Sequence, residues 1–446
     1  MDHLRVWIET PSGSGNPGVS CEFRICAQNV SERALGGTIS LQPPLCAKSD
    51  ETMEFKTGIL EPGADWEREV TVKFLYGGRT RLYCWEKEAQ METFGWAVFD
   101  VKGAGYYSGD THAHSSYSDG KSSLDENRTS MLDKGHSFLY STEHNTLDHL
   151  KEIEAFARTQ SAERFLHAAG WEYTTRCGHA VTYFTAGEPY PPEIQGSSPN
   201  LARWQRFVDE ITSAGGLVFL AHPYEAPCYE FGDGLLMNID NIAGIEVWNG
   251  FNYHALNSRN RRAFSRWDRI NARGVFHCVG NAVSDAHTAK KHGNPFIKGY
   301  LKELNADCLR EMLENGRFFG SNGPELYFRM DEFRMGETLY INEERKTVKV
   351  GILLFDPAGR IEKIVLYRGG VNTSGQENPV KAVAEASPSS ANERRRFEVF
   401  FELTVSHGEF YRVEAFTEFG AVAFDPEARK QEAGFAFTNP IWIERM

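Results

Sequence analysis

Histidine, aspartate and glutamate carry most of the chemistry this chain could perform, and the histidines are unevenly spread. Of the 14, all but His3 and His407 lie between His112 and His292. The densest stretch is GDTHAHSSYSDG, residues 109–120. In an extended strand, residues two apart share a face, so His112 and His114 can point at one ion with Ala113 turned away. Asp119 follows within the same stretch. Short polar loops also produce an HxH pair by chance, so the pair needs partners elsewhere in the chain.

Those partners depend on the elements that would carry them. The middle of the chain alternates strands with helices. Strand patterns read as YYSGDTH (106–112), HSFLYST (136–142), RFLHAAGWE (164–172), LVFLAHP (217–223), GIEVWNG (244–250), VFHCVGNAVSD (275–285) and RFFGSNG (317–323). In PNLARWQRFVDEITSAGG the residues Leu201, Trp204, Phe207, Val208 and Ile211 make one apolar stripe, stopped by Gly215 and Gly216. HALNSRNRRAFSRWDRINARG and ADCLREMLENG read as further helices. Strand–helix alternation through seven strands predicts a parallel sheet, most economically closed into a barrel. His112 and His114 then end the first strand, and Glu143 and His144 follow the second. Glu172 closes the third, His222 the fourth, and Asp285 and His287 the sixth. Carboxyl ends of strands are where α/β barrels build active sites, and structural histidines have no reason to sort that way.

As a ligand set these residues mix imidazole with carboxylate and contain no thiolate, which suits Zn, Mn or Fe. Glu172 can bridge two ions, and His179, opening the strand HAVTYF, can cap the second. Each residue alone reads more readily as core or surface. The set at strand ends reads as a metal site.

The flanks differ in texture. Residues 1–105 and 325–446 alternate apolar and polar side chains between Gly, Pro and Ser turns, which predicts β-sandwich-like domains on either side of an α/β domain over 106–324. Residues 374–396 read as a long exposed loop. At 446 residues the chain is too long for one ordinary core. Its 41% hydrophobic content and mean hydropathy of −0.45 fit a chain with substantial cores and no membrane span. The opening MDHLRVWIETPSGSGN has neither a basic nor an apolar signal region, so a cytoplasmic location is expected. The eight cysteines are scattered without a CxxC pair, and only Cys177 stands near a candidate ligand. A net charge of −13 disfavours a nucleic-acid-coating surface.

GDTHAHSSYSDG, STEHNT, LAHP and SDAH resemble, in order, the four motifs of the PHP superfamily, the polymerase and histidinol phosphatase group. WEYTTRCGHA, GIEVWNG and RFFGSNGP are similar to its CehA/McbA-like metallohydrolases. The resemblance covers about residues 106–325, and FYRVEAFTE to FTNPIWIE is similar to that group's carboxyl-terminal β domain. It implies a distorted seven-stranded β/α barrel with up to three ions at its mouth. His112, His114, Glu172 and Asp285 would hold the first ion, and Glu172, His179 and His222 the second. Asp119, His144 and His287 would hold the third. Glu143 stands where the family usually has aspartate, and NAVSDAH lacks the usual glycine before SDAH.

Two or three divalent ions (Zn, Mn or Fe) would serve hydrolysis without a side-chain nucleophile, through a metal-bridging hydroxide. Glu172 and Asp285 would then be catalytic, with His254 able to pass a proton to the leaving group. Asn249, Arg259, Lys290 and Lys291 are candidate contacts to a small, anionic ester substrate. Three functions follow: a phosphoesterase acting on mono- or diesters, a carboxylic or carbamic ester hydrolase using the same site, and a metal-containing glycan- or protein-binding module. Trp248, Phe251 and Tyr253 after the fifth strand would suit the second. An open polynuclear set disfavours the third, because structural sites are usually closed four-ligand cages. The substrate, metal identity and oligomeric state are not legible.

Overall fold

The computed structural model describes residues 3–48, 53–88, 93–185, 200–224, 231–252, 257–356, 359–371, 377–389, 395–418 and 433–446. By packing, the chain divides into two compact units, one of residues 1–108, 132–137 and 300–304, the other of 109–131, 138–299 and 305–446.

The first unit is made of β1 (Leu4–Glu9), β2 (Ser20–Asn29), β3 (Leu35–Gln42), β4 (Met53–Leu60), β5 (Asp65–Lys73), β6 (Gly78–Glu86) and β7 (Gly95–Val101). They form two antiparallel sheets, ordered β1-β2-β5 and β4-β3-β6-β7. Val6, Phe23, Ile25 and Val72 from one sheet share a core with Ile39, Leu41, Leu82 and Phe99 from the other. The alternation in strands such as LRVWIE, buried at every second residue, is what allows this two-layer packing.

The strands of the candidate site are β8 (Gly105–Asp110, in the second unit from Gly109 on), β9 (Phe138–His144), β10 (Leu166–Thr175), β11 (Gly178–Tyr183), β12 (Leu217–Ala221), β13 (Gly244–Asn249), β14 (Val279–Val283), β15 (Phe296–Leu301, in the second unit up to Gly299) and β16 (Phe318–Ser321). They belong to one mixed sheet of 15 strands, in which the order β14-β13-β12-β11-β10-β9-β8-β15-β16 continues through strands of the carboxyl-terminal region. The sheet is therefore larger than the seven-stranded barrel expected, and it is not parallel throughout. β8, β9 and β10 run parallel, as do β12, β13 and β14, but β11 is antiparallel to both its neighbours. The cause is local: the turn after Thr175 at Gly178 (φ 113°) folds β11 straight back on β10, leaving no room for a crossover helix. β15, whose FIKGYL has no clean periodicity, is a strand the sequence reading left out.

Among the described residues the three helices read from the sequence are present, together with three that it did not signal. α1 (Leu124–Asp133) and α2 (Leu150–Ala157) precede α3 (Leu201–Ser213), which buries Trp204, Phe207, Val208 and Ile211 and is capped by the Asn200 side chain. α4 (Gly232–Leu236), α5 (Ser258–Ala272) and α6 (Ala306–Asn315) follow, the last ended by Gly316 in the left-handed region at φ 68°.

The region from 325 onward contributes β17 (Glu325–Met330), β18 (Phe333–Arg334), β19 (Thr338–Ile341), β20 (Arg345–Phe355), β21 (Ile361–Val371), β22 (Glu377–Ala386), β23 (Arg396–Ser406), β24 (Glu409–Thr417), β25 (Gly434–Thr438) and β26 (Ile441–Arg445). β18-β17-β20-β23 make a separate sheet, and β25, β24, β21 and β22 continue the large one, joined to it where β16 pairs with β25. Leu326, Val350 and Leu354 pack with Ile364, Tyr411 and Ala436 in one core between these layers. The exposed loop expected over 374–396 is, for Glu377–Ala386, a strand: it pairs antiparallel with β21, whose free edge supplies the hydrogen bonds that the polar sequence did not signal. Among the described residues no helix is long and apolar enough to cross a membrane.

Candidate metal centre

His112 and His114 lie just past the end of β8, and the chain there meets the end of β14. Ala113 bridges Ala286, the Asp285 amide donates to the His112 carbonyl at 2.9 Å, and the His114 amide donates to the Ala286 carbonyl at 3.0 Å. Two short extended segments, HAH and SDAH, are thus zipped together, and alternation throws His112, His114, Asp285 and His287 toward one place. Asp110 fixes the junction: its fully buried carboxylate accepts the main-chain N–H groups of His112, Ser284 and Gly293 at 3.3, 3.1 and 2.9 Å. Asp285 (φ 50°) and His222 (φ 25°) both sit in the left-handed region that non-glycine residues avoid. Such strain, of order 1–3 kcal/mol, persists only where surrounding contacts enforce it.

Four donor atoms converge at the floor of the site. His112 Nε2 and His114 Nε2 are 3.1 Å apart. Glu172 Oε2 lies 3.4 Å from each, and Asp285 Oδ1 lies 3.5 and 3.2 Å from them in turn. Donors at roughly 2.0–2.1 Å from a tetrahedral ion are separated by about 3.3–3.4 Å, and those around an octahedral ion by about 3.0 Å. The five distances, 3.1–3.5 Å, lie close to that range, and His112, His114 and Asp285 form a set whose donor atoms fit a divalent cation, with the Glu172 oxygen beside the two imidazoles.

Glu172, fully buried, is the hub. Its Oε1 lies 2.9 Å from His179 Nδ1 and 3.0 Å from His222 Nε2, and its Oε2 lies 2.9 Å from His144 Nδ1. β10, β11 and β12 bring these together because Thr174 is opposite His179 and His179 is opposite Ala221 in the antiparallel ladders. At the mouth, Asp119 faces His144 Nε2 at 3.5 Å and His287 Nε2 at 3.2 Å. Among the described residues, three sets of donors could each hold a metal: His112, His114 and Asp285; His144, Glu172 and His179; and His114, Asp119, His144 and His287. His222 joins through the Glu172 oxygen that it shares with His179. The nine sequence-predicted ligands are all in one place. Exposure rises from 0% at His112 and His114 to 24% at His144 and His287 and 56% at Asp119, so the site opens at the Asp119 end.

Electrostatics match a site built for cations. Burial opposes charge on His144, but Glu172 and Asp119 outweigh it and push the imidazole up to about 10. His222 is likewise pushed up to about 9, burial being outweighed chiefly by Glu172. The His144 hydrogen bond and the neighbouring imidazoles hold Asp119 below the usual carboxylate range, and His112 does the same for Asp285 against its burial.

The other expected residues have surroundings of their own. The Glu143 carboxylate accepts from the Ser115 amide at 2.9 Å and from the Ser115 and Ser118 hydroxyls, so it shapes the loop before Asp119. Asn249 is buried, its amide turned to Glu246 and Asp285 at 3.2 and 3.1 Å, which takes it out of reach of a substrate. Arg259, Lys290 and Lys291 are exposed, and His254 and Tyr253 lie outside the described residues. Trp248 is buried against Phe435, while Phe251, 48% exposed, stands edge-on to His287 at 5.7 Å. Cys177 is buried, which pushes its thiol up and away from reactivity. Sequence reasoning missed Glu246, whose carboxylate lies 2.7 Å from His112 Nδ1. The signal was present as a lone charge inside the apolar strand GIEVWN.

No family model matches the sequence, and no curated protein matches it. Among solved structures, the chain is similar to a two-domain Bacteroides vulgatus protein containing a predicted PHP-like metal-dependent phosphoesterase, at 16% identity and a TM-score of 0.39 over 70% of this chain and 90% of that one. It is similar to a proposed metal-dependent phosphoesterase of Bifidobacterium adolescentis at 15% identity and TM-score 0.33, over 46% of this chain and 94% of that one. An amidohydrolase of Chromobacterium violaceum gives 18% and 0.31, over 47% and 96% of the two chains. At these low identities and scores, the functional reading rests on the chain's own residues.

Proposed function

We propose that this chain is a metal-dependent hydrolase of the PHP type that acts on small phosphate mono- or diesters. The observation that supports this best is the convergence of His112, His114 and Asp285 with donor separations of 3.1–3.5 Å, and of the Glu172 carboxylate 3.4 Å from both imidazoles. His112, His114, Glu172 and Asp285 would hold one divalent ion, Glu172, His179 and His222 a second, and Asp119, His144 and His287 a third, with Zn, Mn or Fe as candidates. Bound there, such ions supply Lewis acidity and a nucleophile from water at neutral pH. The chain's part is to hold the donors in register, to keep the floor dry, and to leave the Asp119 end open for substrate. Arg259, Lys290 and Lys291 would draw an anionic ester toward that opening, and His254 remains the candidate proton donor to the leaving group.

Phe251, exposed beside His287, favours a second reading, a carboxylic or carbamic ester with an apolar group. The two readings separate when kcat/KM is compared for 4-nitrophenyl phosphate, bis(4-nitrophenyl) phosphate and 4-nitrophenyl carboxyl esters on one Mn²⁺- or Zn²⁺-supplied preparation. Phosphate esters are expected to be preferred. Carboxyl esters turned over ~100-fold better, about 2.7 kcal/mol of transition-state stabilisation, would replace the phosphoesterase assignment.

A further inference from the structure

Glu246 is 1% exposed and lies in β13 between Ile245 and Val247, both fully buried. A carboxylate in such surroundings is costly unless both oxygens are satisfied. Both are. Oε1 lies 2.7 Å from His112 Nδ1. Oε2 accepts the main-chain N–H of His222 at 2.9 Å and the Asn249 amide at 3.2 Å. That same amide nitrogen is 3.1 Å from Asp285 Oδ2. The orientation of Asn249 is itself fixed, since its Oδ1 accepts from the Phe251 amide at 2.9 Å and its main chain exchanges hydrogen bonds with the Asn260 side chain.

Each contact sets one feature of the metal centre. The bond to His112 Nδ1 assigns the proton to that nitrogen and leaves Nε2 free to face His114. The bond to the His222 amide holds the backbone where φ is 25°. Asn249 occupies the outer oxygen of Asp285, so that Oδ1 turns inward. β13 delivers Glu246 through an irregularity: Glu246 is opposite Asn281, but Trp248 is opposite Ala282, its immediate successor. In a regular strand Glu246 and Trp248 would share a face. The bulge separates them, sending Trp248 to the Phe435 side and the carboxylate to the site.

We infer that Glu246 is the positioning residue of this centre, acting through His112, His222 and, by way of Asn249, Asp285; the inference rests on the metal reading above. Carboxylates behind a ligating histidine fix its ring and raise its basicity, and their loss typically weakens metal affinity ~10–100-fold.

The test is Co²⁺ binding to the full-length chain, read by elemental stoichiometry, by titration and by the visible bands of the bound ion. Wild type should take up at least about one ion. E246Q should bind Co²⁺ ~10–100-fold more weakly with displaced bands, and N249A should fall between the two. D268N, which alters a carboxylate paired with Arg412 away from the site, should bind as wild type even if it unfolds more easily. Wild-type affinity and bands in both E246Q and N249A would overturn the inference while leaving the metal reading intact. So would an equal loss in D268N, because the effect would then be general destabilisation. A wild-type chain that takes up no Co²⁺ removes the metal reading, and the inference with it. If E246Q does not fold, N249A decides.

Discussion

Glu172 faces His112, His114, His144, His179 and His222, all within 3.4 Å. It should therefore matter more than any one imidazole, since its loss disturbs every set of donors that it touches. Glu172→Gln keeps the volume and removes the charge. Metal content is expected to fall by about one ion or more per chain and hydrolysis to drop at least ~100-fold, with circular dichroism little changed. Elemental analysis beside an activity assay checks this; full metal content with full activity would remove Glu172 from the bridging role. The contrast with Glu143 is instructive. Two buried carboxylates of the same chain, on the neighbouring strands β9 and β10, serve different ends because one meets imidazoles and the other meets serine hydroxyls.

At the scale of elements, the spacing of β8 and β9 depends on a missing side chain. A Cβ at Gly109 would meet the Phe138 carbonyl oxygen at 2.2 Å and the Phe138 ring at 2.3 Å, and a backbone oxygen cannot give way. Gly109→Ala should cost about 1–3 kcal/mol. It should also weaken metal uptake, because the strand end that it displaces carries His112. Thermal unfolding of the metal-free chain and a metal titration measure the two effects, and an unchanged melting temperature would refute the packing argument. The same elements explain what the sequence made legible. Candidate ligands near strand ends and the helix stripe through Trp204 and Val208 could be read, since period and capping are local properties. The reversal of β11, the strand β15 and the edge strand β22 could not, because each is set by a neighbour far along the chain. Glu246, and the contacts of Asn249, which the sequence offers as a substrate contact, escaped for a related reason. Their roles depend on a bulge in β13, and nothing in GIEVWN marks it.

For the whole molecule, the proposed metal reading sets protons and cations in competition for one site. His144 and His222, near 6.5 when unfolded, are held up to about 10 and about 9 in the folded metal-free chain. Raised imidazoles stabilise the fold fully below about pH 6.5, and that contribution is lost as pH climbs through 9 and 10. Metal requires the neutral rings, so its stabilisation should grow over the same window and its binding should release protons. Melting temperatures with and without Mn²⁺ or Zn²⁺ at pH 6, 7.5 and 9 are expected to diverge as pH rises; a constant gap would contradict the assignment of these imidazoles. The pairing of β16 with β25 has a different bearing. β16, the strand of RFFGSNG, is hydrogen-bonded along Phe319–Ser321 to residues more than a hundred positions later. A chain cut at 324 would present that row of amides and carbonyls as a raw margin, ready to recruit any extended segment nearby. The carboxyl-terminal strands are thus the selvedge of the sheet that carries the candidate site, and a chain shortened there is expected to fray.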